Sequence, residues 1–307
     1  MISVVIPVYK NKPLFIKNLE KNLNFLKDCQ IIIVNDSPQE KLKKDIENLI
    51  KKKGRIDNVI IIENKKNLGF GQSVNIGTKY AKGDYLFLLN TDVILNNKNY
   101  FYALNHFKKN PNLFAVSFAQ LERNNQIVGK NIIYFKDGLF HHKKTNNLNF
   151  GKNAWAEGGA CIIDKKKFNY LGGFDSLYSP FYWEDVDLSY RAWKAGFEII
   201  FDPKILVKHH HESTIGKYFD KNKIKIIAYR NQLIFTFKNL SDRKLFFNFL
   251  FFLFKNFIKS LFIFNYLNLI AFINFLSKIP LILIIKEGNR KKIKIKDNMI
   301  LSYFRND

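Results

Sequence analysis

Tyr85-Leu-Phe-Leu-Leu-Asn-Thr-Asp-Val93 is the stretch of this sequence that decides the fold. Its apolar first half predicts a buried strand, and Asn90, Thr91 and Asp92 follow at the carboxyl end. In open α/β sheets, ligands bind just outside the carboxyl ends of the strands. A carboxamide and a carboxylate at this spacing supply the hard oxygen atoms that a divalent metal prefers. The stretch alone is only suggestive, because a polar turn can follow any buried strand.

The first 120 residues alternate between aliphatic strands and helical patterns. We predict strands at 3–6, 31–34, 59–62 and 85–89, with Pro7 closing the first, and helices at 13–27, 42–52 and 71–81. Continuous aliphatic strands separated by helices are typical of a mostly parallel sheet covered on both faces. The sequence therefore predicts an α/β class with a Rossmann-like sheet.

The composition indicates in which compartment the protein acts and what kind of partner it binds. The chain has 307 residues, of which 47% are hydrophobic, and its net charge is +24. Such a charge calls for an anionic partner such as nucleic acid, an acidic membrane or a phosphorylated substrate, although a general bias towards lysine would also produce it. The two cysteines, Cys29 and Cys161, have no metal-binding spacing and suit a reducing compartment. The N-terminus has the pattern of a first strand and not of a signal peptide, so we expect a cytoplasmic protein.

Two polar segments follow predicted strands in the first half. Asp36 comes after the second strand, where a carboxylate can bond a base or a ribose hydroxyl, or can cap a turn. Asn67-Leu-Gly69 precedes the helix that carries Asn75, and a helix N-terminus attracts phosphate. This segment lacks the Gly-Lys-Ser/Thr of a P-loop, so it is weak evidence on its own.

A glycine pair and an acidic cluster stand out in the second half. Gly158 and Gly159 either approach a substrate closely or form a bulge. Glu184 and Asp185 precede a predicted helix on which Asp187 and Arg191, four apart, are expected to pair. Glu184 or Asp185 is then left to act as a general base, although acidic residues also complement the dipole at a helix start.

Three consecutive histidines, 209 to 211, follow an apolar strand. On a strand, His209 and His211 would share one face, and imidazole is a common ligand of transition metals. A surface cluster is the alternative interpretation.

Taken together, residues 1 to 215 resemble the inverting family 2 glycosyltransferases. The resemblance rests on the order of several segments, which are Val4–Tyr9, Asp36, Asn67-Leu-Gly69, Asn90-Thr-Asp92, Gly159-Ala160, Gly172-Gly-Phe-Asp175, Glu184-Asp-Val-Asp-Leu188 and the histidines at 209–211. The family's Asp-x-Asp appears here with Asn90 in first place. That variant is similar to rhamnosyltransferases of cell-surface polysaccharide synthesis.

The resemblance implies a GT-A type fold and a transferase. It implies Mn²⁺ or Mg²⁺ on the donor diphosphate, held by Asp92 and by His209 or His211. Asp185 would be the base, with Glu184 as the rival. The donor would be dTDP-rhamnose or a UDP-hexose, and the acceptor a hydroxyl of a glycan or a lipid-linked glycan. The donor contacts would come from Pro7, Val8, Tyr9, Asp36, Asn67, Gly69, Asn75, Asn90, Thr91, Gly159 and Ala160.

The last part, 216 to 307, forms a separate helical region in this interpretation. Residues 245–285 are rich in Phe, Leu and Ile, and the longest uncharged run, 260–277, contains three asparagines. This pattern suits helices that lie in the interface of an anionic membrane, here the inner face of the cell membrane. A helical layer packed on the catalytic domain is the alternative.

Two other functions compete with the transferase. A nucleotidyltransferase would want a basic, glycine-containing loop near the N-terminus, and residues 7–13 lack one. A non-catalytic basic binding protein derived from a transferase is the second, to which Asn90 lends some support. No nucleic-acid-binding motif is present, so nucleic acid is not expected as a partner.

Overall fold

The computed structural model describes residues 1–54, 58–209, 214–262 and 266–305. Its first part alternates strand and helix as predicted. These elements are β1 Ile2–Val8, α1 Lys12–Asn22, β2 Gln30–Asn35, α2 Lys43–Lys52, β3 Val59–Glu63, α3 Phe70–Lys79 and β4 Tyr85–Leu89. β1 is parallel to both β2 and β4, and β3 is parallel to β2.

Two predicted boundaries are wrong. α1 ends at Asn22 rather than at Lys27. β1 runs through Pro7 to Val8, whereas the sequence predicted that Pro7 would end it. Pro7 is tolerated because β1 pairs with β4 only as far as Val5, so one side of the strand needs no donor at Pro7.

The middle of the chain completes one large sheet and adds a separate hairpin. Its elements are β5 Val93–Leu95, α4 Tyr102–Lys109, β6 Leu113–Leu121, β7 Ile127–Val128, β8 Asn131–Lys136, β9 Leu139–Lys144, β10 Gly151–Lys152, β11 Ala160–Asp164, α5 Lys165–Leu171, α6 Glu184–Lys194 and β12 Glu198–His209. The main strand order is β10-β12-β6-β11-β4-β1-β2-β3, with β5 on β12 and β7 on β6, while β8 and β9 pair with each other.

The sheet is mixed, which corrects the prediction of a mostly parallel sheet. β11 is antiparallel to both of its neighbours, β4 and β6. The chain reaches β11 through the β8–β9 hairpin and a loop, without the crossover helix that a parallel neighbour would require. It therefore enters β11 beside the carboxyl end of β4, where Ala160 is in register with Leu89.

The C-terminal part is helical, as predicted. Its helices are α7 Thr214–Tyr218, α8 Lys221–Asn239, α9 Arg243–Phe262, α10 Tyr266–Leu276, α11 Ile279–Arg290 and α12 Asp297–Ser302. Their inner faces contribute Phe249, Phe275 and Ile282 to the same hydrophobic cluster as Trp193 of α6. The second cluster, on the other face of the sheet, contains Phe15 and residues of α1, α2 and α4.

The outer face of α9 exposes large apolar side chains. Phe247, Phe251 and Phe254 are 67%, 69% and 67% exposed. Among the described helices, none is by itself long and apolar enough to cross a bilayer, whereas α10 and α11 pass such a test as a pair bent by 55°, on length and composition alone. Membrane association of this region stays a prediction.

Candidate active site

A cavity of about 680 Å³ lies at the carboxyl ends of β1, β2 and β4. The start of α6 and the end of β12 complete its wall. Most of the residues that the sequence singled out line it, namely Pro7, Val8, Tyr9, Asp36, Asn67, Gly69, Asn90, Thr91, Asp92, Gly159, Glu184, Asp185 and His209.

Three predicted site residues are not among those that line the cavity. Asn75 was predicted to contact the donor, but its amide bonds the backbone of Phe174, with Nδ2 donating to the carbonyl and Oδ1 accepting from the N–H. Ala160 is fully buried within β11. His211 lies outside the described residues.

Asp36 holds the Asn67-Leu-Gly69 loop against the end of β2. Its carboxylate accepts 2.8 Å bonds from the backbone N–H groups of Leu68 and Gly69 and from Nδ2 of Asn64. Burial raises the pKa of Asp36, and these donors offset part of the rise. Gly69 has a φ of +86°, and a Cβ there would lie 2.7 Å from the carbonyl oxygen of Pro180. The loop therefore requires glycine, and its carboxylate partner is fixed in place.

The glycine pair Gly158–Gly159 precedes β11, and Gly159 lies against the end of β4. The backbone N–H of Asn90 donates to the carbonyl of Gly159 over 3.0 Å. A Cβ on Gly159 would lie 2.5 Å from Nδ2 of Asn90. A side chain at position 159 would therefore displace the carboxamide of Asn90.

Asp92 and His209 lie side by side in the cavity wall, with 3.2 Å between Oδ1 of Asp92 and Nε2 of His209. Gln120 fixes the imidazole, because its Nε2 donates to Glu157, leaving its Oε1 to accept from Nδ1 of His209. In the neutral ring, Nε2 then carries a lone pair towards the Asp92 carboxylate. Two acceptor atoms placed in this way fit a divalent cation, and the support of Nδ1 is typical of a metal-binding histidine.

The donor set of this candidate metal site is small. Within the described parts of the chain, no three His, Cys, Asp or Glu side chains converge to hold a metal ion. Asp92 and His209 thus provide a partial set, one carboxylate and one imidazole, which suits Mn²⁺ better than Mg²⁺ because of the nitrogen ligand.

Glu184 and Asp185 begin α6 after a strained turn. Tyr182 and Trp183 both have left-handed backbone conformations, with φ of 71° and 74°. Asp185 Oδ1 accepts a 2.8 Å bond from the N–H of Val186, and the backbone of Gly158 also bonds this carboxylate. Strained non-glycine residues of this kind persist where the surrounding structure enforces them, as it does at many functional sites.

The two acids differ in their titration. Burial raises the pKa of Asp185 to about 6, and the charge of Glu157 adds to this rise. Burial raises the pKa of Glu184 well above its ordinary value, and Asp185 adds to it. Oε2 of Glu184 is buried and has no hydrogen-bond partner among the described residues. Burial thus favours the protonated form of Glu184, whereas Asp185, with a pKa of about 6, is mostly ionised at neutral pH.

The predicted pair on α6 is confirmed. Nε of Arg191 lies 2.7 Å from Oδ2 of Asp187, and both side chains are buried. This pairing leaves only Glu184 and Asp185 of the acidic cluster facing the cavity.

Sequence reasoning missed Glu157 and His142, which also line the cavity. His142 lies on β9 with its ring 4.8 Å from that of Trp155 and 4.7 Å from that of Trp183. The surrounding protein lowers its pKa to about 4, so it is neutral at pH 7. The only sequence signal was a His pair at 141–142 in a short strand, which has no distinctive spacing.

Comparisons with known proteins give the family of this chain. The model of the glycosyl transferase family 2 matches residues 3–172, more than half of the chain. A poly-beta-1,6-N-acetyl-D-glucosamine synthase of Staphylococcus epidermidis is 26% identical over 189 residues, which are 61% of this chain and 44% of that protein. An N-acetylglucosaminyl-diphospho-decaprenol L-rhamnosyltransferase of Mycobacterium tuberculosis is 36% identical over 63 residues, 20% of each chain. The chain thus spans less than half the length of the first of these relatives.

Solved structures share the fold. The mannosyltransferase PcManGT from Pyrobaculum calidifontis, in complex with GDP-Man and Mn²⁺, has a TM-score of 0.55 at 12% identity, over 99% of this chain and 84% of that one. S. aureus TarS 1-349 in complex with UDP-GlcNAc has a TM-score of 0.54 at 14% identity, over 83% of this chain and 72% of that one. Such neighbours are GT-A type transferases, so the fold is of that type.

Proposed function

Because this chain belongs to glycosyl transferase family 2, we propose that it moves a sugar from a nucleoside-diphosphate donor to a hydroxyl group of a glycan or lipid-linked acceptor, with inversion at the anomeric carbon. The observation that carries the proposal is the meeting, in one cavity, of Asp185 with the Asp92–His209 pair. A base and a candidate cation site are the two features that this transfer needs.

In the transfer, the acceptor oxygen bonds to the anomeric carbon as the bond from that carbon to the diphosphate oxygen breaks. The electron pair of the broken bond leaves with the nucleoside diphosphate, and the proton of the acceptor hydroxyl goes to Asp185. Attack on the face opposite the diphosphate inverts the configuration. A pKa of about 6 suits Asp185 to this work, because the group is mostly ionised at neutral pH yet is a stronger base than an ordinary carboxylate.

Asp92 and His209 would hold the metal, Mn²⁺ or Mg²⁺. When bound, the ion supplies positive charge that stabilises the departing diphosphate. Gln120 keeps the imidazole in the tautomer that this role requires. Asp36 and the loop it holds would receive the nucleoside, as the resemblance implied, and Asn90 and Gly159 would contact the sugar or its phosphates.

For the donor, we propose dTDP-rhamnose or a UDP-hexose, in the synthesis of a surface polysaccharide. Asn90 in the first position of the metal motif is the residue-level reason for including rhamnose. The names of the two relatives, a polysaccharide synthase and a rhamnosyltransferase, support this range.

We further propose that the C-terminal helices lie on the anionic inner face of the cell membrane. The exposed phenylalanines of α9 present large apolar rings to solvent, as a surface that binds a membrane does. Between residues 243 and 286 there are six basic residues and no acidic one, which favours an anionic bilayer over a neutral surface. The thiols of Cys29 and Cys161 are buried and form no disulfide within the described residues, as suits a reducing compartment.

The test is a donor screen with the purified full chain. Binding and hydrolysis of dTDP-rhamnose, UDP-glucose, UDP-galactose, UDP-N-acetylhexosamines and GDP-mannose are measured with and without Mn²⁺. We expect metal-dependent binding and slow hydrolysis of one donor from this range. A folded protein that binds none of them would contradict the proposal and favour a non-catalytic binding protein, and the anomeric configuration of a transfer product would test inversion.

A further inference from the structure

A second cavity opens beside the candidate active site. It has a volume of about 580 Å³ and lies between the β8–β9 hairpin and helices α8, α9 and α10. The two cavities share His142, Trp183 and Ala228 as wall residues. Trp183 directly precedes Glu184 and Asp185 in the chain, so this second cavity, which we call the C-terminal groove, adjoins the start of α6.

The side chains of the C-terminal groove suit a carbohydrate. Three aromatic rings line it, those of Trp183, Tyr229 and Phe252, and three carboxamides, those of Gln232, Asn256 and Asn268. Aromatic rings cover the apolar faces of sugar rings, and carboxamides both donate to and accept from hydroxyl groups. Among the described residues that line the groove, Lys225 is the single Lys or Arg and there is no carboxylate. Aromatic rings beside a few well-placed polar groups are common in small-molecule sites.

The groove is built into the fold and is not a gap between loose helices. A Cβ on Gly138, in the hairpin turn, would lie 2.4 Å from Cβ of Phe252, so α9 packs directly on the turn. Nε2 of Gln232 donates over 2.8 Å to the carbonyl of Phe140, which fixes α8 to β9. Nδ2 of Asn256 donates to the carbonyl of Phe252 over 3.1 Å. The groove walls are therefore held by packing and by hydrogen bonds.

We propose that the C-terminal groove binds the glycan of the acceptor and directs its reactive hydroxyl towards Asp185. The proposal rests on the proposed transferase function and adds the place where the glycan of the acceptor binds. Most of the groove comes from helices beyond residue 172, where the family match ends. The acceptor specificity of this chain would accordingly be set by its C-terminal helices, while residues of the matched region bind the donor.

His142 is the positioning residue between the two cavities in this proposal. Its ring has edge contacts with both Trp155 and Trp183, so its orientation is fixed by packing. A neutral imidazole has one donor and one acceptor nitrogen, which suits an acceptor sugar that passes from the groove to the base.

The test compares matched variants of the full chain. Asn268 and Asn274 are on the same helix, α10, but only Asn268 lines the groove, and Asn274 is exposed. Asn268→Ala, Asn274→Ala and Tyr229→Ala are assayed for binding to an array of oligosaccharides, in one arm free and in the other displayed as glycolipids on neutral vesicles. Binding of UDP, dTDP and GDP by each variant is measured separately.

We expect Asn268→Ala and Tyr229→Ala to weaken glycan binding by about tenfold or more, as truncation of a well-packed contact does. Asn274→Ala should bind as the wild type does, and nucleotide affinity should be unchanged in all three. Wild-type protein that binds nucleotide but no glycan, or groove variants that bind glycan normally, would overturn the proposal. A wild-type protein that binds none of the three nucleotides would contradict the proposed function instead. Binding in only one arm would identify the source of the glycan as free or lipid-linked. If Tyr229→Ala fails to fold, the asparagine pair still decides.

Discussion

Nζ of Lys238 lies 2.9 Å from both carboxylate oxygens of Asp187, so a buried ion pair joins α8 to the helix that carries the proposed base. Asp187 also accepts bonds from the Tyr178 hydroxyl and from Nδ2 of Asn239, each at 2.8 Å. Burial alone would raise the pKa of Asp187, but Lys238 and Arg191 outweigh burial and hold it well below its usual range. The C-terminal helices are thus fixed to the region of the candidate active site through Asp187.

Removal of the Lys238 charge should destabilise the whole protein. In Lys238→Met, Asp187 keeps Arg191 but loses its second cation while fully buried, and we expect the free energy of unfolding to fall by about 3–5 kcal/mol. Denaturant unfolding measures the change. Lys221→Met, which removes an exposed lysine from the same helix, should change stability by less than about 0.5 kcal/mol. Equal effects of the two substitutions would mean that the ion pair is not a structural link.

The two acids at the start of α6 should respond differently to neutralisation. Asp185→Asn removes the proposed base, so we expect turnover to fall by roughly 10²–10⁴-fold with donor binding largely intact. Glu184→Gln should cost much less, because burial favours the neutral form of Glu184 and Gln closely resembles that neutral form. Single-turnover kinetics with the donor from the screen separates the two. A larger loss in Glu184→Gln than in Asp185→Asn would reverse the assignment.

The pH dependence of kcat/KM should report the ionisation of Asp185. The base is active when ionised, so the rate should fall as pH decreases through about 6. The charge of Glu157 contributes to the raised pKa of Asp185, so in Glu157→Gln the acidic limb of the profile, where the rate falls, should move to lower pH. Glu63→Gln, at an exposed strand end, serves as the control and should leave the limb in place. If the limb stays fixed or moves to higher pH in Glu157→Gln, the charge of Glu157 is not a cause of the raised pKa.

The apolar face of α9 should be needed for membrane binding. Phe251→Ser combined with Phe254→Ser removes two of the most exposed rings, each of which would contribute about 1.5–3 kcal/mol on burial in lipid. We expect the double variant to lose binding to vesicles containing anionic phosphatidylglycerol in a flotation assay, while the wild type binds and is released by high salt. Phe150→Ser, an exposed ring outside the C-terminal helices, is the matched control. Wild-type protein that stays off anionic vesicles would refute this attachment.

Local patterns in the sequence were enough for several features. The aliphatic runs fixed β1 to β4, because a strand covered on both faces must be apolar along its length. The spacing of Asp187 and Arg191 predicted their pair, because residues four apart meet on one helix face. Asn90, Asp92 and Asp36 meet at one cavity because the carboxyl ends of the parallel strands lie at one edge of the sheet.

The remaining features depend on contacts between residues far apart in the chain. Only the tertiary structure inserts β11 antiparallel beside β4, which brings Gly159 against Asn90. The pKa values of Glu184 and Asp185 are raised only in the folded chain. Their causes are burial and neighbouring charges such as that of Glu157, which the positions of the two residues in the sequence do not reveal. The position of His142 and the groove formed with α8 to α10 are also visible only in the folded structure. The sequence by itself thus determined which residues have the chemistry for the proposed nucleotide-sugar site. The tertiary structure decided how they are paired and protonated, because burial and long-range contacts exist only in the folded chain.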